Sequence, residues 1–148
     1  MQTPPDEPEP GTPTPATPDE LIARWQQCMT FADFQTANVA PAWANMSTTL
    51  NQKCTSCHIN GGWSFMATTN AQQMFDVLKT DKYYLLDFIS IGPAEQGGYQ
   101  VIFNDKTIPS VATGQVPYAE HPRFTATAGM NATRNFYELT SARCSTPI

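Results

Sequence analysis

Two cysteines and a histidine stand close together in the run Cys54-Thr55-Ser56-Cys57-His58. Two thiols at this spacing can add to the two vinyl groups of one haem, while the adjacent histidine ring reaches the iron from the same side. Thioether bonds hold the cofactor in a small domain that could not retain it by packing alone, and neutral imidazole is a good donor to iron. The motif therefore predicts a haem c bound covalently by Cys54 and Cys57, with His58 as an axial ligand of its iron.

The same residue types have two other uses in proteins. A Cys-x-x-Cys pair can act as a thiol-disulfide redox motif, but that chemistry favours a βαβ context, whereas helical patterns lie on both sides of Cys54. The pair is also half of a zinc site, for which Cys28, Cys144 and His121 are the other plausible ligands. The helical surroundings favour haem attachment over both alternatives.

The second axial ligand of the iron has two candidates. A six-coordinate iron suits an electron carrier, because two fixed ligands limit the change of geometry on reduction and leave no position for oxygen. His121 is the only other histidine and precedes Pro122 in a loop ahead of the last predicted helix. Met130, directly before that helix, is the alternative. We predict His121 as the distal ligand, which would lower the reduction potential, whereas the Met130 thioether would raise it.

Composition limits the class of protein and its partners. The 148 residues carry a net charge of −5, and 14% of them are charged. The lysines and arginines form no basic run, so we do not expect nucleic acid as a partner. No stretch approaches the roughly 20 apolar residues of a transmembrane helix. The proline-rich opening is typical of an extended tether, so we predict a linker over residues 1–18 and one domain over residues 19–148.

Helix signals dominate the domain and predict an all-α fold. Capping residues precede amphipathic patterns at several places, and a last helix is expected from Asn131 to near Cys144. The predicted helix starts are Thr17, Thr30, Asn70, Asp81 and Asn131. Glycines and prolines change the character of residues 92–117, where we expect a small hairpin or irregular insertion involving Tyr99–Phe103 and Thr107–Val111.

The motif after an N-terminal helix, the closing helix after a loop and the overall size resemble the class I-like monohaem cytochromes c over roughly residues 18 to 144. This resemblance implies a helical fold around one haem in which the first and last helices cross, here Leu21–Met29 and Asn131–Arg143. It places Cys28 and Cys144 at the ends of those two helices, where an oxidising compartment would let them form a disulfide. The chain departs from the family pattern in its length and in the extra helix before the motif.

The function that this resemblance implies is electron transfer without catalysis, to or from a redox protein partner. The tether resembles those of secreted bacterial carbohydrate-degrading proteins, which suggests a copper-dependent polysaccharide monooxygenase as the partner; respiratory relays fit equally well. We expect a monomer in the periplasm or outside the cell. The alternative function is a haem enzyme or gas-binding sensor with an open sixth coordination position, in which His121 would act as an acid-base group.

Overall fold

The computed structural model describes residues 16–95 and 97–144, so most of the predicted linker lies outside the described residues. The described part is mainly helical, as predicted, with one two-stranded sheet. In chain order its helices are α1 (Pro18–Cys28), α2 (Phe31–Thr36), α3 (Val39–Ala44), α4 (Cys54–His58), α5 (Ala71–Thr80), α6 (Lys82–Leu85), α7 (Thr107–Thr113) and α8 (Ala128–Cys144). A single 3₁₀ turn, Gly62–Ser64, follows α4.

The predicted helix starts in the first two-thirds of the chain are confirmed by their caps. The Thr17 hydroxyl accepts a hydrogen bond from the backbone N–H of Glu20, with Pro18 in the first helical position. The side chains of Thr30, Asn70 and Asp81 accept backbone N–H groups in the same way at the starts of α2, α5 and α6. Local side-chain chemistry thus sets where these helices begin.

The last helix begins earlier than the predicted Asn131. It starts at Ala128, and the backbone N–H of Asn131 donates to the carbonyl of Thr127 at 2.9 Å, so Asn131 already lies within the first turn. The helix packs along α1, and Cys28 lies at disulfide distance from Cys144, with their Cα atoms 5.5 Å apart. The expected pairing of Cys28 with Cys144 therefore joins the ends of the first and last helices.

The small hairpin pairs strands other than those expected. Strand β1 (Ile89–Pro93) runs antiparallel to β2 (Tyr99–Phe103), so the partner of the predicted strand precedes it in the chain. Residues Thr107–Val111 belong to α7 instead, because the Asn104 side-chain oxygen accepts the backbone N–H groups of Lys106 and Thr107 and initiates a helical turn. The expected small hairpin is therefore present, but its other strand is Ile89–Pro93, and Thr107–Val111 are helical.

The hydrophobic core lies between α1, α2, α3, α5 and α8, and aromatic rings fill much of it. Phe34 is central, with its ring centroid 5.3 Å from that of Phe136 and 5.6 Å from that of Phe75. Edge-to-face and tilted contacts of this kind add to the free energy of burying the rings. No helix among the described residues is long and apolar enough to cross a membrane.

One partly buried polar contact ties α2 to the end of α8. The Arg143 guanidinium donates two hydrogen bonds to the carboxylate of Asp33, one from Nε to Oδ2 and one from Nη2 to Oδ1 at 3.0 Å. Asp33 is buried, and the hydrogen bonds from Arg143 hold the pKa of its carboxyl below the ordinary value. The pair therefore favours the folded state when Asp33 is ionised.

Replacing Thr140 by valine should stabilise the protein. The Thr140 hydroxyl is fully buried without a hydrogen-bond partner, and an isosteric methyl group removes that cost, raising the free energy of unfolding by about 1 kcal/mol. Thr133→Val is the matched control in the same helix, because the Thr133 hydroxyl accepts from Trp43 and donates to Gly129. In urea denaturation the free energy of unfolding should rise for Thr140→Val and fall for Thr133→Val. Destabilisation by Thr140→Val would contradict the conclusion that the Thr140 hydroxyl is buried without a partner.

Acid should selectively remove the contribution of the Asp33 pair to stability. Because the folded pKa of Asp33 lies below its unfolded value of about 4, the stabilisation is present above pH 4 and is lost as the pH falls through the folded pKa. Arg143→Met should therefore be destabilising at pH 7, with a difference from wild type that shrinks below pH 4 in urea titrations.

The control for this experiment is Arg134→Met, since the Arg134 guanidinium lies over the ring of Phe103, 4.5 Å from its centroid, and does not depend on a carboxylate. Its effect on the free energy of unfolding should not vary between pH 7 and pH 3. An equally flat difference for Arg143→Met would show that the Asp33 carboxylate is not the group responsible.

Candidate functional site

The cysteines of the motif lie on the short helix α4, which is anchored to the segment before it. The backbone N–H of Cys54 donates to the carbonyl of Met46 at 3.3 Å, and an isolated antiparallel bridge joins Ser47 to Lys53. Cys54 is half-buried and Cys57 is exposed, and both are free thiols. Both sulfur atoms are therefore available for a covalent bond.

The environment of Cys54 differs from that of a reactive redox cysteine. Burial raises the pKa of the Cys54 thiol; a backbone hydrogen bond lowers it by a smaller amount, and the neighbouring Cys57 raises it by the least. Thiol-disulfide motifs use a cysteine whose pKa is lowered, because the thiolate is the nucleophile. The surroundings of Cys54 therefore do not favour that use of the motif.

His58 is buried and its ring is held in one orientation by backbone carbonyls. Its Nδ1 lies 2.8 Å from the carbonyl oxygen of Gly62 and 3.1 Å from that of Phe65. A carbonyl oxygen only accepts hydrogen bonds, so Nδ1 carries the proton and donates it. In the neutral ring this leaves the lone pair on Nε2, the nitrogen that is then free to bind a metal.

His121 lies on a loop that reaches the motif through backbone hydrogen bonds. The backbone N–H of Thr49, in the loop before α4, donates to the carbonyl of Arg123 at 2.8 Å, and the N–H of Phe124 donates to Ala112 at 3.1 Å. The Nδ1 of His121 lies 2.7 Å from the carbonyl oxygen of Pro122, so it too is the protonated nitrogen. His121 therefore also keeps a lone pair on Nε2.

The two histidines, 63 positions apart in the chain, are neighbours in the fold. Their ring centroids are 6.3 Å apart and their planes differ by 25°. Phe65 packs edge-on against His58 with centroids 4.9 Å apart, and Phe124 packs edge-on against His121 at 6.1 Å. The predicted pair of imidazole ligands is thus brought together, each ring supported by its own phenylalanine.

Met130, the alternative ligand, lies in the first turn of α8. Its half-buried side chain packs against the hydrophobic core formed by the other helices. This is the ordinary role of a methionine, whose flexible side chain fills irregular gaps between packed elements.

Four of the seven large apolar side chains that are exposed among the described residues lie on the segments that flank the motif and His121 in sequence, and the other three lie on α6 and β2. Leu50 is 76% exposed, Trp63 83% and Val116 89%, and Ile59 directly follows His58 with 48% exposure. Trp63 lies beside the His58 ring, with centroids 5.8 Å apart. Large apolar side chains exposed near one site typically mark a surface that binds an apolar ligand or partner.

Trp43 connects this site to the core, a role that the sequence did not reveal. Its ring lies edge-on to Phe65 with centroids 4.9 Å apart, and its Nε1 donates to the Thr133 hydroxyl at 2.9 Å. Gly129 allows the approach, because a Cβ there would overlap the Trp43 ring. The sequence also does not predict that the Gly62 and Phe65 carbonyls lie at the His58 Nδ1. The Gly61-Gly62 pair after the motif indicates a tight turn and is the one available signal.

Comparison with family models, curated proteins and solved structures finds no match to this chain.

Substituting Gly129 by alanine should destabilise the fold, against the usual trend. Within a helix this change ordinarily adds up to about 1 kcal/mol of stability. Here the new methyl group would overlap the buried Trp43 ring, and overpacking of this kind costs about 1–3 kcal/mol. The free energy of unfolding should therefore fall in denaturant titrations.

A Trp43→Leu background supplies the control, because the smaller side chain leaves room for the added methyl group. In that background Gly129→Ala should be neutral or stabilising, which a double-mutant cycle would record as coupling between the two positions. Stabilisation by Gly129→Ala in the otherwise unchanged protein would refute the close packing of Gly129 on Trp43.

Proposed function

We propose that this chain is a single-haem c-type cytochrome that transfers electrons. Cys54 and Cys57 would each form a thioether, as the S–H bond adds across a haem vinyl group with sulfur on one carbon and hydrogen on the other. His58 and His121 would be the two axial ligands of the iron. The observation that carries the proposal is the spacing of these two histidines together with the backbone carbonyls beside their Nδ1 atoms. When bound, the haem supplies one-electron redox chemistry, and the protein supplies its ligands and surroundings.

The separation of the two rings supports this ligand pair. Metal-imidazole bonds are about 2.0–2.1 Å long and the ring centroid lies about 1.1 Å beyond the nitrogen, so two imidazoles on opposite sides of one ion have centroids about 6.2–6.4 Å apart. The distance between the His58 and His121 centroids, 6.3 Å, lies in this interval. Both Nδ1 atoms donate to carbonyls, which leaves the two Nε2 atoms as the donors such an ion requires.

The same geometry argues against a zinc site. Two imidazoles that meet a metal at the tetrahedral angle of zinc would have centroids only about 5 Å apart. The two other thiols considered as zinc ligands, Cys28 and Cys144, lie at disulfide distance from each other. The donor set that remains, two free thiols and two imidazoles 6.3 Å apart, fits a covalently attached haem better.

The spacing also favours an electron carrier over a haem enzyme or gas sensor. If His121 acted on a small molecule bound to the iron, that molecule and a hydrogen bond of about 2.8 Å would separate the rings, with centroids at least about 8 Å apart. The separation of 6.3 Å supports a ligand role for His121 in preference to an acid-base role. With haem bound, the His121 imidazole would be its second protein ligand and would lower the reduction potential relative to a thioether.

The exposed Trp63 ring beside His58 supports a bound apolar group at this site. A haem that covered this ring would bury apolar area, which contributes about 25 cal/mol per Å². We also propose that the domain works outside the cytoplasm, where its proline-rich tether lets it reach a redox protein partner. A copper-dependent polysaccharide monooxygenase is one such partner. The pair at disulfide distance, Cys28 and Cys144, is compatible with an oxidising compartment.

Protein produced with haem-maturation machinery should carry one haem and two imidazole ligands. The mass should exceed that of the polypeptide by one haem after denaturation, and near-infrared magnetic circular dichroism should show low-spin iron with two histidines. His121→Ala should remove those bands and make the ferrous protein bind carbon monoxide, because it deletes one of the two Nε2 donors.

Met130→Leu is the matched control, since it removes the competing thioether while preserving side-chain volume. It should leave both the bands and the resistance to carbon monoxide unchanged. Loss of the low-spin bands in Met130→Leu, with His121→Ala unaffected, would assign the distal position to Met130. A mass equal to the polypeptide alone, from cells that mature other c-type cytochromes, would overturn the proposed function.

A further inference from the structure

The loop that supplies the carbonyl partners of His58 adopts an unfavourable backbone conformation. Gly61, Trp63 and Ser64 all have positive φ, at 81°, 57° and 58° respectively. Positive φ is free for glycine but costs a residue such as Trp63 of order 1 kcal/mol or more. The Trp63 side chain is 83% exposed, so its own burial does little to offset this cost.

This conformation directs two carbonyl groups to one nitrogen. The chain reverses between Gly61 and Phe65, so the oxygens of Gly62 and Phe65 both lie within hydrogen-bond distance of the His58 Nδ1. The loop is closed at its two ends by the His58 carbonyl, which accepts the backbone N–H groups of Gly61 at 3.0 Å and Ala67 at 3.1 Å. Contacts from outside the loop must hold its interior in place.

Tyr84, on α6, provides such a contact. Its hydroxyl donates to the carbonyl of Gly61 at 2.8 Å, across 23 positions of the chain. The ring lies close over this backbone: a Cβ at Gly61 would stand 2.8 Å from the Tyr84 hydroxyl oxygen and 3.2 Å from Cε1. Tyr84 is half-buried, and the adjacent Leu85 is buried in the core, which fixes α6 relative to the loop.

We propose that Tyr84 is a positioning residue of this site, which acts through the Gly61 carbonyl to keep the Gly62 and Phe65 oxygens on the His58 Nδ1. Through them it keeps Nε2 as the free donor and makes the ring a stronger ligand, because a ligand that donates its second N–H to an acceptor becomes more basic. The proposed effect on the His58 proton stands on the hydrogen bonds alone; the effect on reduction potential rests on the proposed function.

Tyr84→Phe is the direct test, because it deletes one hydroxyl and retains the ring. Tyr137→Phe is the matched control: the Tyr137 hydroxyl also donates from a half-buried ring to a backbone carbonyl, that of Val101, at 3.2 Å in the hairpin. Each variant loses one such hydrogen bond, with a similar expected loss of stability. Only Tyr84→Phe should alter the His58 ring.

The first measurement is the exchange of the His58 Nδ1 proton with solvent, by NMR on the purified protein, in the diamagnetic ferrous state if haem is attached. Exchange should be at least about threefold faster in Tyr84→Phe than in wild type or Tyr137→Phe, because the loop opens more often. Equal exchange in the two variants would overturn the proposal, whether or not the chain carries a haem.

The second measurement is the reduction potential of protein whose mass shows one attached haem. A less basic His58 stabilises oxidised iron less, so Tyr84→Phe should shift the equilibrium about threefold toward the reduced form, which the one-electron relation of 59 mV per tenfold converts to about 28 mV. If the reduction potential of Tyr84→Phe equalled that of Tyr137→Phe, the proposed effect of Tyr84 on the His58 ligand would be wrong. A chain without added mass would instead contradict the proposed function, and the exchange measurement would still decide the role of Tyr84.

Discussion

The packing of Trp43 against Gly129 is the contact on which both the fold and the site depend. Only 1% of Trp43 is exposed, and its indole N–H is satisfied by the Thr133 hydroxyl, so the ring is fixed on α8 by shape and by one hydrogen bond. Its other edge supports Phe65, which in turn packs on His58. Helix packing in the core therefore supports one side of the His58 ring, whose orientation the loop carbonyls hold.

Elements distant in the chain are held together around this contact. The Cys28 and Cys144 pair closes a loop with a sequence separation of 116, for which the chain-entropy account of a disulfide predicts a stabilisation of about 4–5 kcal/mol. The bidentate Asp33 and Arg143 pair adds a polar link between α2 and the same end of α8. With its terminal helices joined in this way, the domain can leave apolar side chains exposed around the proposed cofactor site.

The two histidines are oriented by the same kind of hydrogen bond. Each donates its Nδ1 proton to a backbone carbonyl, and each therefore keeps an Nε2 lone pair in the neutral ring. The acceptors differ in origin: His121 uses the carbonyl of its own neighbour Pro122, whereas His58 depends on a strained loop that Tyr84 holds from another helix. This asymmetry makes the environment of His58 the more sensitive of the two to mutation elsewhere in the protein.

The sequence by itself determined the features that local chemistry controls. The caps at Thr17, Asn70 and Asp81 begin helices as predicted, because a side-chain oxygen within three residues satisfies a free N–H. The spacing of Cys54, Cys57 and His58 predicts haem attachment from the sequence alone, and this prediction is tested only by the experiments on mass and spectrum.

Tertiary structure alone decided what depends on contacts between distant residues. Periodicity could not reveal that β2 pairs backward with β1 or that α8 begins at Ala128, because strand partners and helix ends respond to packing across the chain. The sequence could rank His121 above Met130 but could not measure their distance from His58. That distance is set by the hydrogen bond from Thr49 to Arg123 and by the core beneath Phe65, which exist only once the chain has folded.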